Sequence, residues 1–368
     1  MEETCTTNEG GVGSCIAIAS CPTYVKLLQQ FRTKPAYVQV LKRAHCGFEG
    51  NYPKVCCPIA TTPNDPLQST PSHAAPTVIA SVTDDAVSNK SLASDFLPAF
   101  PAPPDCGVSN VSFTRVVGGV DAKLGDFPWM ALLGYKESGD AETHWKCGGS
   151  LISSHHVLTA AHCIHRHEKD LYLVRLGELD YAREDEGATP IDVLIKYKIK
   201  HEGYNYKTYV NDIGLLILQN DVEFTEFIKP ICLPVTSDLR SNTFEKYNPI
   251  IAGWGHTQYG GTSASHLQVL QLPVVSNDIC RKAYIDYKAQ VIDERVLCAG
   301  FKKGGKDACK GDSGGPLMQP IPENMTSYFF QIGIVSYGRR CADAGFPGIY
   351  SRVTYFVPWL QQNILGSA

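Results

Sequence analysis

Three polar side chains stand in stretches suited to nucleophilic chemistry. Ser313 lies in DACKGDSGGP, residues 307 to 316, with glycines on both sides. Such glycines allow a tight turn and let the backbone come close to a substrate. His162 ends the strand-like run VLTAAHC beside Cys163, and Asp212 stands in NDIGLLIL at the mouth of an apolar strand. A serine hydroxyl becomes a useful nucleophile when a base takes its proton and a third group orients that base. A fourth stretch, FTRVVGG at 113 to 119, sets Arg115 before a small apolar run ending in two glycines. It reads either as a loop entering a strand or as a bond meant to be cut, with a new N-terminus at Val116.

Each stretch also has an ordinary reading when taken alone. A polar turn between strands accounts for G-x-S-x-G, and an Asp before a strand commonly forms a turn. The serine string also matches the nucleophile elbow of α/β-hydrolases, whose chain order is Ser, acid, His. Here the last histidine is His266, so none follows Ser313 and that fold is excluded as a triad enzyme. The order His, Asp, Ser stays open. His165 and His167, close to His162, invite a metal reading, but no acidic or thiolate ligand set accompanies them.

The elements that must position these residues read as β. The runs LYLVRL, DVLIKYKI, GLLIL, PIIAGW, LQVLQLPVV and YFFQIGIVSY are separated by Gly, Pro, Asn and Asp, with few amphipathic helices. That spacing predicts an antiparallel barrel or sandwich. Residues 355 to 365, YFVPWLQQNIL, read as a closing helix with Pro358 in its first turn.

The whole chain has 368 residues, enough for two or three domains with a large core. A net charge of −4 is too small to make nucleic acid or an anionic membrane the main partner. No apolar run approaches the ~20 residues that span a bilayer. The start, MEETCTTNEG, has neither a basic region nor a long apolar one, so an exported form would already have lost its signal peptide.

Export is what the 14 cysteines point to. Six lie within the first 57 residues: Cys5, Cys15, Cys21, Cys46, Cys56 and Cys57. No C-x2-C pair occurs, which argues for disulfides over zinc. Sequons at Asn89, Asn110 and Asn324 fit an exported glycoprotein. Residues 58 to 105 carry nine prolines among Ala, Ser and Thr, which reads as a semi-rigid or disordered linker. The small module ahead of it needs three disulfides to hold a fold, and six cysteines allow 15 connectivities. After the linker come Cys106 and seven more: Cys147, Cys163, Cys232, Cys280, Cys298, Cys309 and Cys341. Seven is odd, so Cys106 must pair with a cysteine of the body if the front module is self-contained. A cut at Arg115 would then leave the front half tethered.

With TAAHC, NDIGLL and GDSGGP in this order, and VVGG, CGG, GWG and SYG around them, residues 116 to 368 resemble the chymotrypsin-like serine proteases. The resemblance implies a double antiparallel β-barrel with a C-terminal helix. It implies His162 as general base, Asp212 as its orienting carboxylate and Ser313 as nucleophile, with the N–H groups of Gly311 and Ser313 as the oxyanion hole. It makes Arg115–Val116 an activation bond, cut by an upstream protease of trypsin-like specificity, whose new α-amino group pairs with Asp312. Asp307 falls at the floor of the specificity pocket, with Gly338 and Gly348 keeping its walls open for Arg or Lys. Ala308 stands where trypsins often carry Ser, which predicts Arg over Lys. Tyr337 replaces the usual Trp, and Arg340 and Lys310 add charge near the pocket rim and the oxyanion turn.

No cofactor is required for that chemistry. LGELDYAREDEG, 176 to 187, is a candidate structural calcium loop, with carboxylates from Glu178 and Glu186 and carbonyls from Asp180 and Arg183.

The front spacing C-x9-C-x5-C-x24-C-x9-C-C resembles the clip domain of arthropod haemolymph proteases. The resemblance implies bridges Cys5–Cys56, Cys15–Cys46 and Cys21–Cys57, and a Cys106–Cys232 tether. The expected domains are a clip at 1–57, a Pro-rich linker and activation segment at 58–115, and a protease domain at 116–368. The clip carries six basic and four acidic residues, a net of +2, so its charge names no partner. What the family implies is a secreted zymogen that cuts a protein after Arg in an innate-immune cascade, through prophenoloxidase or a Toll-ligand precursor, or in clotting. A serpin-type inhibitor and a protein partner for the clip belong to the same expectation. A venom protease and a non-catalytic clip-domain cofactor are the alternatives, and Ser313 speaks against the second.

Overall fold

The computed structural model describes residues 4–6, 12–17, 21, 44–49, 52–58, 100–111, 119–136, 139–140, 142–256, 261–304, 311–323, 326–339 and 343–366. The chain divides into two units, Met1–Leu92 with Ala368, and Ala93–Ser367.

The first unit is a four-stranded antiparallel sheet. Its strands β1 (Thr4–Thr6), β2 (Val12–Ala17), β3 (His45–Glu49) and β4 (Tyr52–Pro58) lie in the order β1-β2-β4-β3. Among the described residues its buried cluster is Cys21, Ala44, Val55 and Cys57, with Ile16 packed against them. Two of these residues, Cys21 and Cys57, are bonded to each other, so a bridge is itself part of the packing. The bridges run Cys5–Cys56, Cys15–Cys46 and Cys21–Cys57, the connectivity expected.

The second unit holds two β-systems. β5 (Val120–Asp121) comes first, followed by β6 (Met130–Tyr135), β7 (His144–Ser153), β8 (His156–Thr159), β9 (Leu171–Leu176), β10 (Ile191–Lys200) and β11 (Gly214–Leu218). Strands β6 to β11 close into an antiparallel barrel in the order β10-β11-β8-β7-β6-β9. The all-apolar strands β6 and β11 are buried along their whole length, whereas β10, with alternating lysines, is half exposed. The second system is β12 (Ile250–Gly253), β13 (Gln268–Gln271), β14 (Val274–Val275), β15 (Val296–Ala299), β16 (Pro316–Glu323), β17 (Thr326–Tyr337) and β18 (Gly348–Arg352), joined at the end of β13 by β5. One buried cluster takes Ile251, Leu270, Val274, Leu297, Leu317, Ile332 and Tyr350 from these strands, so the sheet curls around a common core. This is the double β-barrel of the chymotrypsin-like fold.

Among the described residues of the second unit helices are few: α1 (Ala161–Ile164), α2 (Ser237–Ser241), α3 (Asn277–Ala283) and α4 (Val353–Gly366). Two differ from the sequence reading. The run VLTAAHC does not stay extended to its histidine, because β8 ends at Thr159 and His162 falls in the single turn of α1. The closing helix begins directly after β18, two residues earlier than expected, so Pro358 lies beyond the first turn and removes one i→i−4 donor.

The two β-systems are locked through β7, β16 and β17. Trp129 Nε1–H points at Met318 Sδ, 2.9 Å away, and its ring tilts on Phe329 at 5.4 Å. Fully buried Ser150 donates its hydroxyl to Gln331 Oε1 at 2.6 Å. Residues 100–111, placed by sequence in the linker and activation segment, pack on this body. Cys106 is bonded to Cys232, and Gly107 pairs its N–H with Pro230 O and its carbonyl with Phe329 N–H. Gly107 has φ +67°, and a β-carbon there would stand 2.5 Å from Phe329 O, so only glycine fits. Two further bridges, Cys147–Cys163 and Cys280–Cys298, are present. Cys309 and Cys341 fall outside the described residues.

Candidate active site

The order His, Asp, Ser along the chain becomes a single cluster at the junction of the two β-systems. α1 carries His162 immediately after β8. Asp212 precedes β11, which pairs with β8 through Gly214↔Thr159, so the register sets the two side chains together. The result is a two-point contact. Asp212 Oδ1 accepts the His162 backbone N–H at 2.9 Å, and Oδ2 faces His162 Nδ1 at 2.7 Å. The carboxylate is fully buried and the imidazole is one-fifth exposed, leaving Nε2 as the free face of the ring. A carboxylate so placed holds the Nδ1–H tautomer, which leaves Nε2 basic.

Two serines complete the surroundings of Asp212. Ser336 donates its hydroxyl to Asp212 Oδ2, and Ser351 donates to the Asp212 carbonyl at 2.6 Å. Ser336 is the extra residue of a β-bulge, where the β17–β18 register shifts between Val335 and Tyr337. Bulges re-aim a side chain, and this one turns Ser336 from the sheet toward the carboxylate. The SYG string marks Ser336 in the sequence, but nothing there marks Ser351.

Ser313 comes from the second β-system and is carried across by its own turn. The Ser313 carbonyl accepts Gly148 N–H from β7 at 2.8 Å, Gly314 N–H bonds Val335 O, and Gly315 N–H returns to Asp312 O. Gly314, at φ +80°, sits against Thr159 Oγ1, the Gly148 carbonyl and Cys163 Sγ, the last within the Cys147–Cys163 bridge. The bridge therefore holds the nucleophile turn and the histidine turn against one another. Gly311 has φ +103°. Among the described residues neither its N–H nor that of Ser313 has an intramolecular acceptor. No hydrogen bond joins Ser313 Oγ to His162 among those residues. Such bonds often tighten only in the substrate complex.

Asp312 turns inward. Its Oδ1 accepts Gly255 N–H at 2.8 Å, beside Gly253. Trp254 between these glycines fixes the stretch by donating Nε1–H to Leu179 O at 3.0 Å.

Tyr209 was not singled out by sequence. It adopts φ +56°, a left-handed conformation unusual for a bulky residue. Its ring meets His162 edge-on at 5.7 Å and tilts against Tyr337 at 5.1 Å. Burial, and then the Asp212 charge, push its phenol up from the usual value. These two tyrosines wall the cleft beside the histidine, and Tyr337 supplies the aromatic surface expected in place of Trp. Gly348 is buried in β18 opposite Ala299, and Gly338 is exposed at the end of β17. Arg115, Val116, Asp307, Ala308, Lys310 and Arg340 lie outside the described residues, as do Asn89 and Asn324, whereas Asn110 is exposed.

The histidine–cysteine neighbourhood is not a metal centre. Cys147, His162 and Cys163 bring ligand-type atoms within 4.8 Å of one another, but the two sulfurs are bonded to each other and offer no thiolate. The loop at 176–187 is different in kind. Glu186 Oε1 accepts Asp180 N–H at 3.2 Å, while its Oε2 is buried without a hydrogen-bond partner among the described residues. Burial pushes the Glu178 carboxyl up, and the Glu186 charge adds to this against the opposing Leu179 N–H and Arg175. Two crowded carboxylates with an orphaned oxygen are an oxygen donor set that fits a hard cation.

The sequence model of the family described as Trypsin matches residues 116–360, and that described as Regulatory CLIP domain of proteinases matches 5–57. The chain is 43% identical over 355 residues to the venom serine protease Bi-VSP of Bombus ignitus, covering 96% of this chain and 90% of the relative. It is 37% identical over 378 residues to the proclotting enzyme of Tachypleus tridentatus, covering 99% and 90%. The crystal structure of the Drosophila Grass clip serine protease of the Toll pathway matches with a TM-score of 0.62 at 30% identity, covering 100% of this chain and 98% of that one.

Proposed function

The chain belongs to the clip-domain serine proteases of the trypsin family, serine endopeptidases of the arthropod cascade type, and we propose that it is a secreted zymogen cutting proteins after Arg. The observation that carries the reading is the two-point clasp of His162 by buried Asp212, beside a turn that presents Ser313 with two unengaged N–H groups.

The chemistry follows from these groups. Ser313 Oγ attacks the scissile carbonyl as His162 Nε2 takes its proton. Asp212 keeps the imidazole in the Nδ1–H form and offsets the imidazolium charge, with Ser336 holding the carboxylate in place. The carbonyl oxygen becomes an oxyanion that the N–H groups of Gly311 and Ser313 receive, each donor of this kind being worth about 10²–10³ in rate. The C–N bond then breaks as His162 passes its proton to the leaving amine. Water repeats the sequence on the acyl-enzyme and frees Ser313.

Cleavage of Arg115–Val116 by an upstream protease supplies the switch. The new Val116 ammonium pairs with the half-buried carboxylate of Asp312, whose charge keeps that amine protonated above its ordinary pKa of about 7.7–8. Asp307 selects a cationic side chain, and Ala308 favours Arg over Lys. The Cys106–Cys232 bridge keeps the clip covalently attached after the cut. Glu178 and Glu186, with the carbonyls of Asp180 and Arg183, would hold a structural calcium ion, whose contribution would be to the fold of the loop and not to the chemistry.

The substrate is a protein of an innate-immune or clotting cascade, in keeping with the likeness to a proclotting enzyme and a Toll-pathway protease. Six disulfides among the described residues suit an oxidising, extracellular setting. A serpin-type inhibitor ends the reaction, and the clip engages a protein partner. The 43% identity to a bumblebee venom protease favours a second reading, recruitment to venom with the same specificity. Transcript in venom gland rather than haemocytes or fat body distinguishes it.

Hydrolysis of small Arg, Lys and Phe amides before and after limited cleavage at Arg115 tests the core of this reading. Activity should appear only after the cut, highest on Arg. An inactive product with Val116 as its verified N-terminus, in the presence of calcium, would refute it.

A further inference from the structure

A surface groove lies close to the start of β18, where Tyr284 of its lining bonds Pro347 O. It runs open between α3 and residues 284–292, with a volume of about 360 Å³. Its cations are Arg281, Lys282 and Lys288, its accessible apolar surface is Ile285 and half-buried Tyr287 above buried Tyr284 and Ile292, and no acidic residue lines it. Ile285 is 73% exposed, and Ile279 on α3 is 56% exposed. A lone exposed isoleucine calls for no explanation; one that lines a cationic groove, with a second exposed on the adjoining helix, suits a contact surface.

The groove is built on rigid parts. The Cys280–Cys298 bridge ties α3 to β15, and Arg281 Nη1 donates to the Ile292 carbonyl at 3.0 Å. Tyr284 donates its hydroxyl to Pro347 O at 2.9 Å, next to Gly348 of the specificity region. Arg339, two residues beyond Tyr337, lies over the rings of Phe346 and Tyr287 at 4.4 and 5.3 Å and so joins the groove to the cleft rim. Arg281 is paired with Asp278, but Lys282 and Lys288 have no ion-pair partner among the described residues.

We infer that this groove docks an acidic segment of the protein substrate that carries an apolar side chain, apart from the bond being cut. The acidic groups meet Lys282 and Lys288, and the apolar group covers Ile285 beside Tyr287. A sulfated polysaccharide would use the cations and leave that apolar surface wet, so the lining favours a peptide. The groove itself follows from geometry; naming the substrate as its occupant rests on the endopeptidase reading.

The test uses the activated full chain and labelled polymers that it cannot cut after Arg or Lys. These are a random Glu–Tyr copolymer, polyglutamate of equal length, and heparin, followed by fluorescence anisotropy. The copolymer should bind about tenfold more tightly than polyglutamate, a difference of ~1.4 kcal/mol. Ile285→Glu and the double change Lys282→Glu with Lys288→Glu should each loosen it about tenfold, while hydrolysis of a small Arg amide stays within about twofold. The inference is overturned by equal binding of the two polypeptides, by no binding, by variants that bind as well as the parent, or by heparin binding more tightly and indifferently to Ile285→Glu. The expected binding pattern in a sample inactive on the Arg amide would support the groove and sink the catalytic reading instead.

Discussion

A β-carbon on Gly253 would stand 2.0 Å from Asp312 Oδ1, and one on Gly255 would stand 2.5 Å from the same carboxylate. The niche that receives Asp312 therefore exists because two side chains are missing from the strand end and turn at 253–255. In the proposed mechanism this carboxylate must lie inward to meet the Val116 ammonium, and its inward position sets the backbone of Gly311 and Ser313.

Gly255→Ala should consequently separate cleavage from activation. The variant is expected to be cut normally after Arg115, with Val116 as the new N-terminus, yet to lose at least about 100-fold in kcat/KM on a small Arg amide. That is the scale for one misplaced oxyanion donor. N-terminal sequencing and amide hydrolysis on the same sample check it. Full activity in the cleaved variant would mean that Asp312 does not need this niche.

Tyr337 gives a prediction of opposite sign. Its hydroxyl is buried without a hydrogen-bond partner among the described residues, and burial pushes the phenol up out of its usual range. An unpaired buried polar group costs about 1–3 kcal/mol. Tyr337→Phe keeps the ring against Tyr209 and removes the orphan, so the melting temperature should rise by about 2–4 °C, the shift for ~1 kcal/mol in a domain of this size. Activity on the Arg amide should stay within about threefold. A lower melting temperature would show that the hydroxyl has a partner in solution.

Much of this architecture is legible in the one-letter code, and the losses have identifiable causes. LYLVRL and GLLIL coincide with β9 and β11 because buried apolar runs bounded by turn residues leave little choice. α1 was hidden because its four residues follow a strand without an N-cap hydrogen bond or an acidic first turn. Ser351 reaches Asp212 only through the pairing of β17 with β18, and strand register is not local information. The strain at Tyr209 is likewise invisible, since nothing in KTYVND announces a left-handed tyrosine. The motifs name the reacting groups, but the bulge, the register and the glycine niche that aim them belong to the tertiary structure.

The loop at 176–187 offers a test that does not depend on catalysis. If Glu178 and Glu186 share a calcium ion, millimolar calcium should raise the melting temperature of the inactive Ser313→Ala chain and chelation should lower it. A ligand at 100 times its Kd stabilises by about 2.7 kcal/mol. Glu186→Gln should abolish most of the calcium response. An equal shift in the variant, or none in the parent, would remove calcium from the account and leave Arg175 as the partner of Glu178.

Acid should loosen the first barrel through His156. This side chain opens β8, is 8% exposed, and has Nδ1 2.8 Å from Ser153 Oγ, while Nε2 has no partner among the described residues. Burial, and then the neighbouring His155 charge, lower its pKa from 6.5 to about 4, against a smaller opposing pull from Asp221. A depressed folded-state pKa means that the unfolded chain takes up the proton first. The neutral ring's contribution is thus complete above pH 6.5 and is lost as pH falls from 6.5 through 4. One pKa unit is about 1.4 kcal/mol, so with some solvation near the barrel rim the loss at pH 4 should be roughly 2 kcal/mol. His156→Phe removes the titration and keeps an aromatic ring of similar size. Melting temperatures of the parent and variant, taken every half unit from pH 7.5 to 4, should therefore diverge below 6.5, the parent falling faster. Parallel curves would mean that water reaches His156 and that its burial is not felt.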